Sequence, residues 1–73
     1  MGMALTKENR QSLENEAIRA LVALIFNDDQ KANLWMRTEN PLLGGLRPVQ
    51  MIAMGRFVKL LEFVTDSMRQ GSG

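Results

Sequence analysis

The stretch Asn40-Pro41-Leu42-Leu43-Gly44-Gly45-Leu46-Arg47-Pro48 constrains the centre of this chain more than any other feature. The ring of Pro41 crowds the backbone of Asn40 and disfavours the helical region there, so a helix arriving from the N-terminal side has to stop. Gly44 and Gly45 admit positive φ, which a tight turn needs. Pro48 lacks an amide hydrogen and has φ preset near the helical value, which suits the first position of a new helix. The segment therefore reads as a corner between helices. Strands would require alternating apolar and polar residues, and that alternation appears nowhere, while β-branched residues are few and scattered. The expected fold is all-α, a small bundle of about four helices.

Upstream of the corner, Thr6 is a candidate N-cap for a long helix and Glu8 suits its positive end. Asn27 and Asp28 end the pattern. The polar half of this helix gives way to Ala17–Phe26, where Arg19 is the single charge. At about 100° per residue, Leu13, Ala17, Ala20, Leu21 and Leu24 share one face, and Ile18, Val22 and Ile25 another. A helix apolar on both sides is either central or in contact with something beyond its own domain. Asp28 or Asp29 opens a short second helix with Ala32, Leu34, Trp35 and Met36 as packing candidates. After the corner, a short helix Pro48–Met54 precedes a longer one from about Gly55 to Gln70, with Gly55 marking a kink or break. In the last helix Phe57, Leu60, Leu61, Val64 and Met68 make the inner stripe, with Val58 and Phe63 at the two edges of an unusually wide apolar arc. Met51 and Met54 flank the break and are the methionines best placed for a partner surface, methionine being an adaptable contact. Both ends of the chain, Gly71-Ser72-Gly73 included, read as flexible.

Size and composition narrow the class. A chain of 73 residues is a single small domain, and a core of this size rarely supplies more than about 3–5 kcal/mol. It has no Cys and no His, so disulfides and the usual zinc ligand sets are excluded. Nine basic and eight acidic side chains leave a net charge of +1, without the basic patch of a nucleic-acid binder. No apolar run reaches the ~20 residues of a membrane span. A soluble cytoplasmic protein that binds neither membrane nor nucleic acid is the expectation.

The short motifs point away from chemistry. Asp28–Glu39 has the length of an EF-hand loop, but Gln30 and Ala32 stand where ligands belong, and Asn33 stands where the sharp turn wants glycine. Gly44-Gly45 is followed by no Gly-Lys-Ser/Thr. Without His, Cys or Tyr, a nucleophile–base pair would fall to Ser12, Ser67, lysines or carboxylates, all of which read more simply as solvated surface. The chain is expected to be no enzyme and to hold no cofactor or metal.

Read as one series, Leu24-Ile25-Phe26-Asn27-Asp28, Ala32, Leu34-Trp35-Met36, Asn40-Pro41, Leu43-Gly44-Gly45, Pro48, Met51-Ile52, Gly55-Arg56 and Val58 resembles the toxin-binding domain of the Xre/MbcA/ParS antitoxin family. Its most specific part is Trp35, then the corner, then Gly55 seven residues after Pro48. The resemblance covers about residues 13–68. It implies a helical antitoxin domain of a toxin–antitoxin system, which neutralises a RES-type toxin that degrades NAD or transfers ADP-ribose, by blocking the toxin's active-site cleft. The family uses the C-terminal part of this domain, which here is the helix from Arg56 with the tail Arg69-Gln70. Arg56, Lys59, Phe63, Arg69 and Gln70 are accordingly the expected toxin contacts. Trp35, Asn40, Pro41, Gly44, Gly45, Pro48 and Gly55 are expected to define the fold, with Trp35 packing under the corner.

Many family members carry an N-terminal helix-turn-helix domain. Residues 1–73 are read as the toxin-binding domain alone, so DNA binding does not transfer. A homo-oligomer through Ala17–Phe26 would suit the two-faced helix. The alternative function is a standalone dimerisation or adaptor domain without a toxin partner.

Overall fold

The structure, a computed structural model, describes residues 6–71, and of Gln70 only the backbone. Residues 1–5 and 72–73, which fall in the stretches read above as flexible ends, lie outside it. The described residues form α1 (Lys7–Phe26), α2 (Asp29–Arg37), a one-turn 3₁₀ helix (Pro41–Leu43), α3 (Pro48–Ala53) and α4 (Phe57–Gly71). Among them there is no strand, only an isolated bridge between Asn40 and Leu46. The fold is the small all-α bundle that the sequence predicts. None of the described helices is long and apolar enough to cross a membrane.

Local chemistry sets each boundary. The Thr6 hydroxyl oxygen accepts the Asn9 amide at 3.0 Å and opens α1. Asn27 closes it in the left-handed region, φ 55°, a conformation that asparagine tolerates better than most side chains. The amides of Asn27 and Asp28 both donate to the Ala23 carbonyl. The Asp28 carboxylate then accepts the amides of Gln30 and Lys31 at 2.8 and 3.1 Å, capping α2. So short a connection folds α2 back against α1 as a helical hairpin. Across it, Arg19 of α1 donates to Asp29 at 3.4 Å while also pairing with Glu16. The Arg19 hydrogen bond and positive charge hold the Glu16 carboxyl below the usual carboxylate range.

In the corner, the Asn40 side chain accepts the Leu42 amide at 2.9 Å. The Asn40 carbonyl accepts the amides of Leu43 and Gly45, and the Asn40 amide donates to the Leu46 carbonyl. Gly44 and Gly45 sit at φ 72° and 83°. A Cβ on either would meet no atom within 4 Å, so backbone conformation alone calls for glycine there. Pro48 takes the first turn of α3 and is buried, and Gln50 reaches back to accept the Arg47 amide at 2.8 Å.

The core consists of Ile18 and Val22 of α1, Ala32 and Met36 of α2, Met51 and Ile52 of α3, and Leu60 and Val64 of α4. Helices α2, α3 and α4 all pack on α1, which is therefore the central element. Of its two apolar faces, the Ile18–Val22 face turns inward. Most of the other is left to solvent: Leu13 is 58% exposed and Leu24 73%, with Ala17 and Ala20 exposed between them, while Leu21 turns far enough inward to pack half-buried against the core. Three short helices cover only one side of a 20-residue rod.

Truncating Ile18 to Ala is expected to cost about 2–5 kcal/mol, comparable with the whole stability of such a domain. Leu24→Ala on the outer face should change stability by less than about 0.5 kcal/mol. Urea titrations followed by circular dichroism distinguish the two, and a larger loss for Leu24→Ala than for Ile18→Ala would mean that α1 is turned the other way. Gly45→Ala should cost about 1–2 kcal/mol from backbone strain alone, read by the same titration.

Candidate functional site

The surface of interest is built on α4 and depends on how that helix begins. Gly55 breaks the chain at φ 80°. The Arg56 amide then turns back to donate to the Met51 carbonyl at 2.8 Å, and the Arg56 carbonyl accepts the Leu60 amide at 3.1 Å. Arg56 thus stands immediately before the first turn of α4. From there the inner stripe is committed to packing: Leu60 and Val64 are buried, and Phe57 and Leu61 pack partly buried against the core. Met68, expected in the same stripe, is 37% exposed, since it lies past the end of the core.

On the outer side, Arg56, Lys59 and Phe63 follow one another at spacings of three and four residues, which places them in one stripe along the helix. Arg56 and Lys59 are exposed and form no ion pair among the described residues. Together with Gly55, Val58 and Glu62 they line a shallow depression. Val58 is 65% exposed.

Phe63 is half-buried and faces a separate, apolar cleft of about 230 Å³. Its walls are Ile25 and Phe26 at the end of α1, Trp35 of α2, Leu42 of the corner, and Phe63 and Ser67 of α4. No charged residue lines it; Asn40 Oδ1 accepts from the Leu42 amide at 2.9 Å, and the Ser67 hydroxyl donates to the Phe63 carbonyl at 3.0 Å. Trp35 packs beside the corner as half-buried cleft wall.

Of the five expected partner contacts, the structure brings Arg56, Lys59 and Phe63 into one stripe. Arg69 stands apart on the helix, 3.9 Å from Asp66. The side chain of Gln70 lies outside the described part. Met54, one of the two methionines flanking the break, is 53% exposed, whereas Met51 is 5% exposed and belongs to the core, because the inner turn of α3 faces α1. Sequence reasoning missed Phe26 and Leu42 as cleft walls. Leu42 lies in a turn, where no periodicity assigns a face. Among the described residues no group of three or more potential metal ligands comes together.

Residues 21–63 match the model of the antitoxin Xre/MbcA/ParS C-terminal toxin-binding domain. The match covers more than half of the chain, which belongs to this family. It takes in Trp35, the whole corner, Gly55 and the Arg56–Lys59–Phe63 stripe, and stops short of Arg69 and Gln70. No curated protein and no solved structure matches the chain.

Because Lys59 is exposed and unpaired, Lys59→Glu should leave the urea midpoint within the equivalent of about 0.5 kcal/mol. Phe63→Ala removes a half-buried ring and should cost about 1–3 kcal/mol. A large loss for Lys59→Glu would show that the side chain is structural rather than available to a partner.

Proposed function

We propose that this domain neutralises a RES-type toxin, one that consumes NAD or transfers ADP-ribose from it, by laying the outer stripe of α4 over the toxin's active-site cleft. The observation that carries this reading is the stripe itself. The inner side of α4 is consumed by the core, yet Arg56 and Lys59 stay exposed in line with the half-buried Phe63, inside the segment that matches a toxin-binding family. A helix that presents two unpaired cations beside an aromatic ring is suited to binding a protein surface, with the ring as anchor and the charges setting orientation and association rate. The role asks for no chemistry from the chain, which acts as a binding protein in the cytoplasm, where the toxin would meet NAD. Arg69 and Gln70 would extend the contact along the last turns of α4.

Self-association through α1 is a second element of this proposal. The exposed face Leu13, Ala17, Ala20 and Leu24 is apolar, with small residues at its middle that allow close approach of a second helix. If this were the domain's only role, it would be a standalone dimerisation or adaptor module. Light scattering would then report a dimer lost in Leu24→Asp, and the chain would have no effect on NAD turnover.

The deciding experiment is to purify the protein encoded beside this chain's gene and follow its NAD consumption with and without the chain. Stoichiometric inhibition is expected, and unchanged turnover would overturn the proposal. The double charge reversal Arg56→Glu/Lys59→Glu should weaken toxin binding by about tenfold or more, mainly through slower, less salt-sensitive association. Its melting should match that of the wild type.

A further inference from the structure

The cleft beside Phe63 is unlike the rest of the surface. Its walls come from α1, α2, the corner and α4, and they hold two aromatic rings besides Phe63: Phe26 at 40% exposure and the half-buried Trp35. Leu42, at 78% exposure, forms its rim. Asn40 Oδ1 and the Ser67 hydroxyl on its border are already hydrogen-bonded within the chain, and most of the remaining lining is apolar. An apolar cavity of about 150 Å³ holds a benzene ring. At about 230 Å³, this cleft has room for one aromatic or branched aliphatic side chain.

The charges next to the cleft describe the molecule that would supply that side chain. Lys59 lies one helical turn before Phe63, and Arg56 two turns before it, about 6 and 10 Å along the axis. Neither has a carboxylate partner among the described residues. Glu62 is the one acid that shares their depression.

We infer that the Phe26–Trp35–Leu42–Phe63 cleft is the anchor pocket of the toxin-binding surface. It takes one apolar side chain of the toxin, carried on an element that places a carboxylate 6–10 Å away (about one to two helical turns), against Lys59 or Arg56. This rests on the antitoxin reading above and adds to it the chemistry of the matching toxin segment. A second copy docked with parallel α4 helices would set Lys59 and Arg56 against their own like charges, whereas an acidic–apolar segment satisfies both halves of the site.

The test uses the full chain, labelled with ¹⁵N, and the purified toxin encoded beside it. Trp35 is the single tryptophan, so its indole N–H gives one reporter inside the cleft. That resonance is expected to shift or broaden as toxin is added. Ser67→Phe fills the cleft from an exposed position and should weaken binding at least tenfold. Ser12→Phe, the same change on the polar part of α1, should weaken it less than twofold. Melting curves establish that both variants are folded. A complex that forms with Trp35 unmoved and with Ser67→Phe at wild-type affinity overturns the anchor pocket and leaves the antitoxin reading standing. Absence of any complex with the wild-type chain overturns that reading and the pocket with it. A homodimer abolished by Ser67→Phe and not displaced by toxin would reassign the cleft to self-association and equally overturn the inference.

Discussion

The whole bundle depends on one stripe of α1. Ile18 and Val22 sit where α2, α3 and α4 converge, and each of those helices is too short to hold its shape in water without that contact. With no cysteine to form a disulfide, the small apolar core has to offset most of the ordering of the backbone. This explains why the ends of the helices are so fully capped. Thr6, Asn27, Asp28, Asn40 and Gln50 each satisfy backbone groups that a helix end or turn would otherwise leave without a partner.

The same economy shapes the outer surface of α4. While α4 uses its inner stripe on the core, the wide apolar arc carries Phe63 to the edge of the core, where it also faces the cleft. The corner contributes twice. Its glycines let the chain reverse tightly enough to start α3, and the reversal projects Leu42 outward as the rim of that cleft. Neighbouring residues of the corner therefore face opposite ways: Leu43 packs inward while Leu42 stays exposed.

Electrostatics divide in a similar way. Arg19 is engaged with Glu16 and Asp29 across the α1–α2 hairpin, and Arg69 lies beside Asp66. Exposed pairs of this kind add little stability, but they occupy cations that would otherwise spread positive charge over the surface. Arg56 and Lys59, next to the break at Gly55, have no ion-pair partner among the described residues, so a nearly neutral chain still presents two cations there, with Glu62 the one acid in the same depression.

Much of this was legible in the sequence because it is local. A proline restricts its neighbour, an asparagine or aspartate caps the turn that follows it, and a glycine admits positive φ, so Thr6, Asn27–Asp28, the corner and Gly55 marked the element boundaries without any knowledge of packing. The spaced series from Leu24 to Val58 carried the family for the same reason, since it records those local requirements in order. The orientation of α1 was not legible: Leu13–Leu24 and Ile18–Ile25 are equally apolar faces, and only the arrival of three partner helices on one side decides between them. Nor was the cleft, whose walls Phe26, Trp35, Leu42 and Phe63 belong to four separate segments. A pocket assembled from distant parts of the chain leaves no period in the sequence, because the distances that make it exist only once the helices have packed.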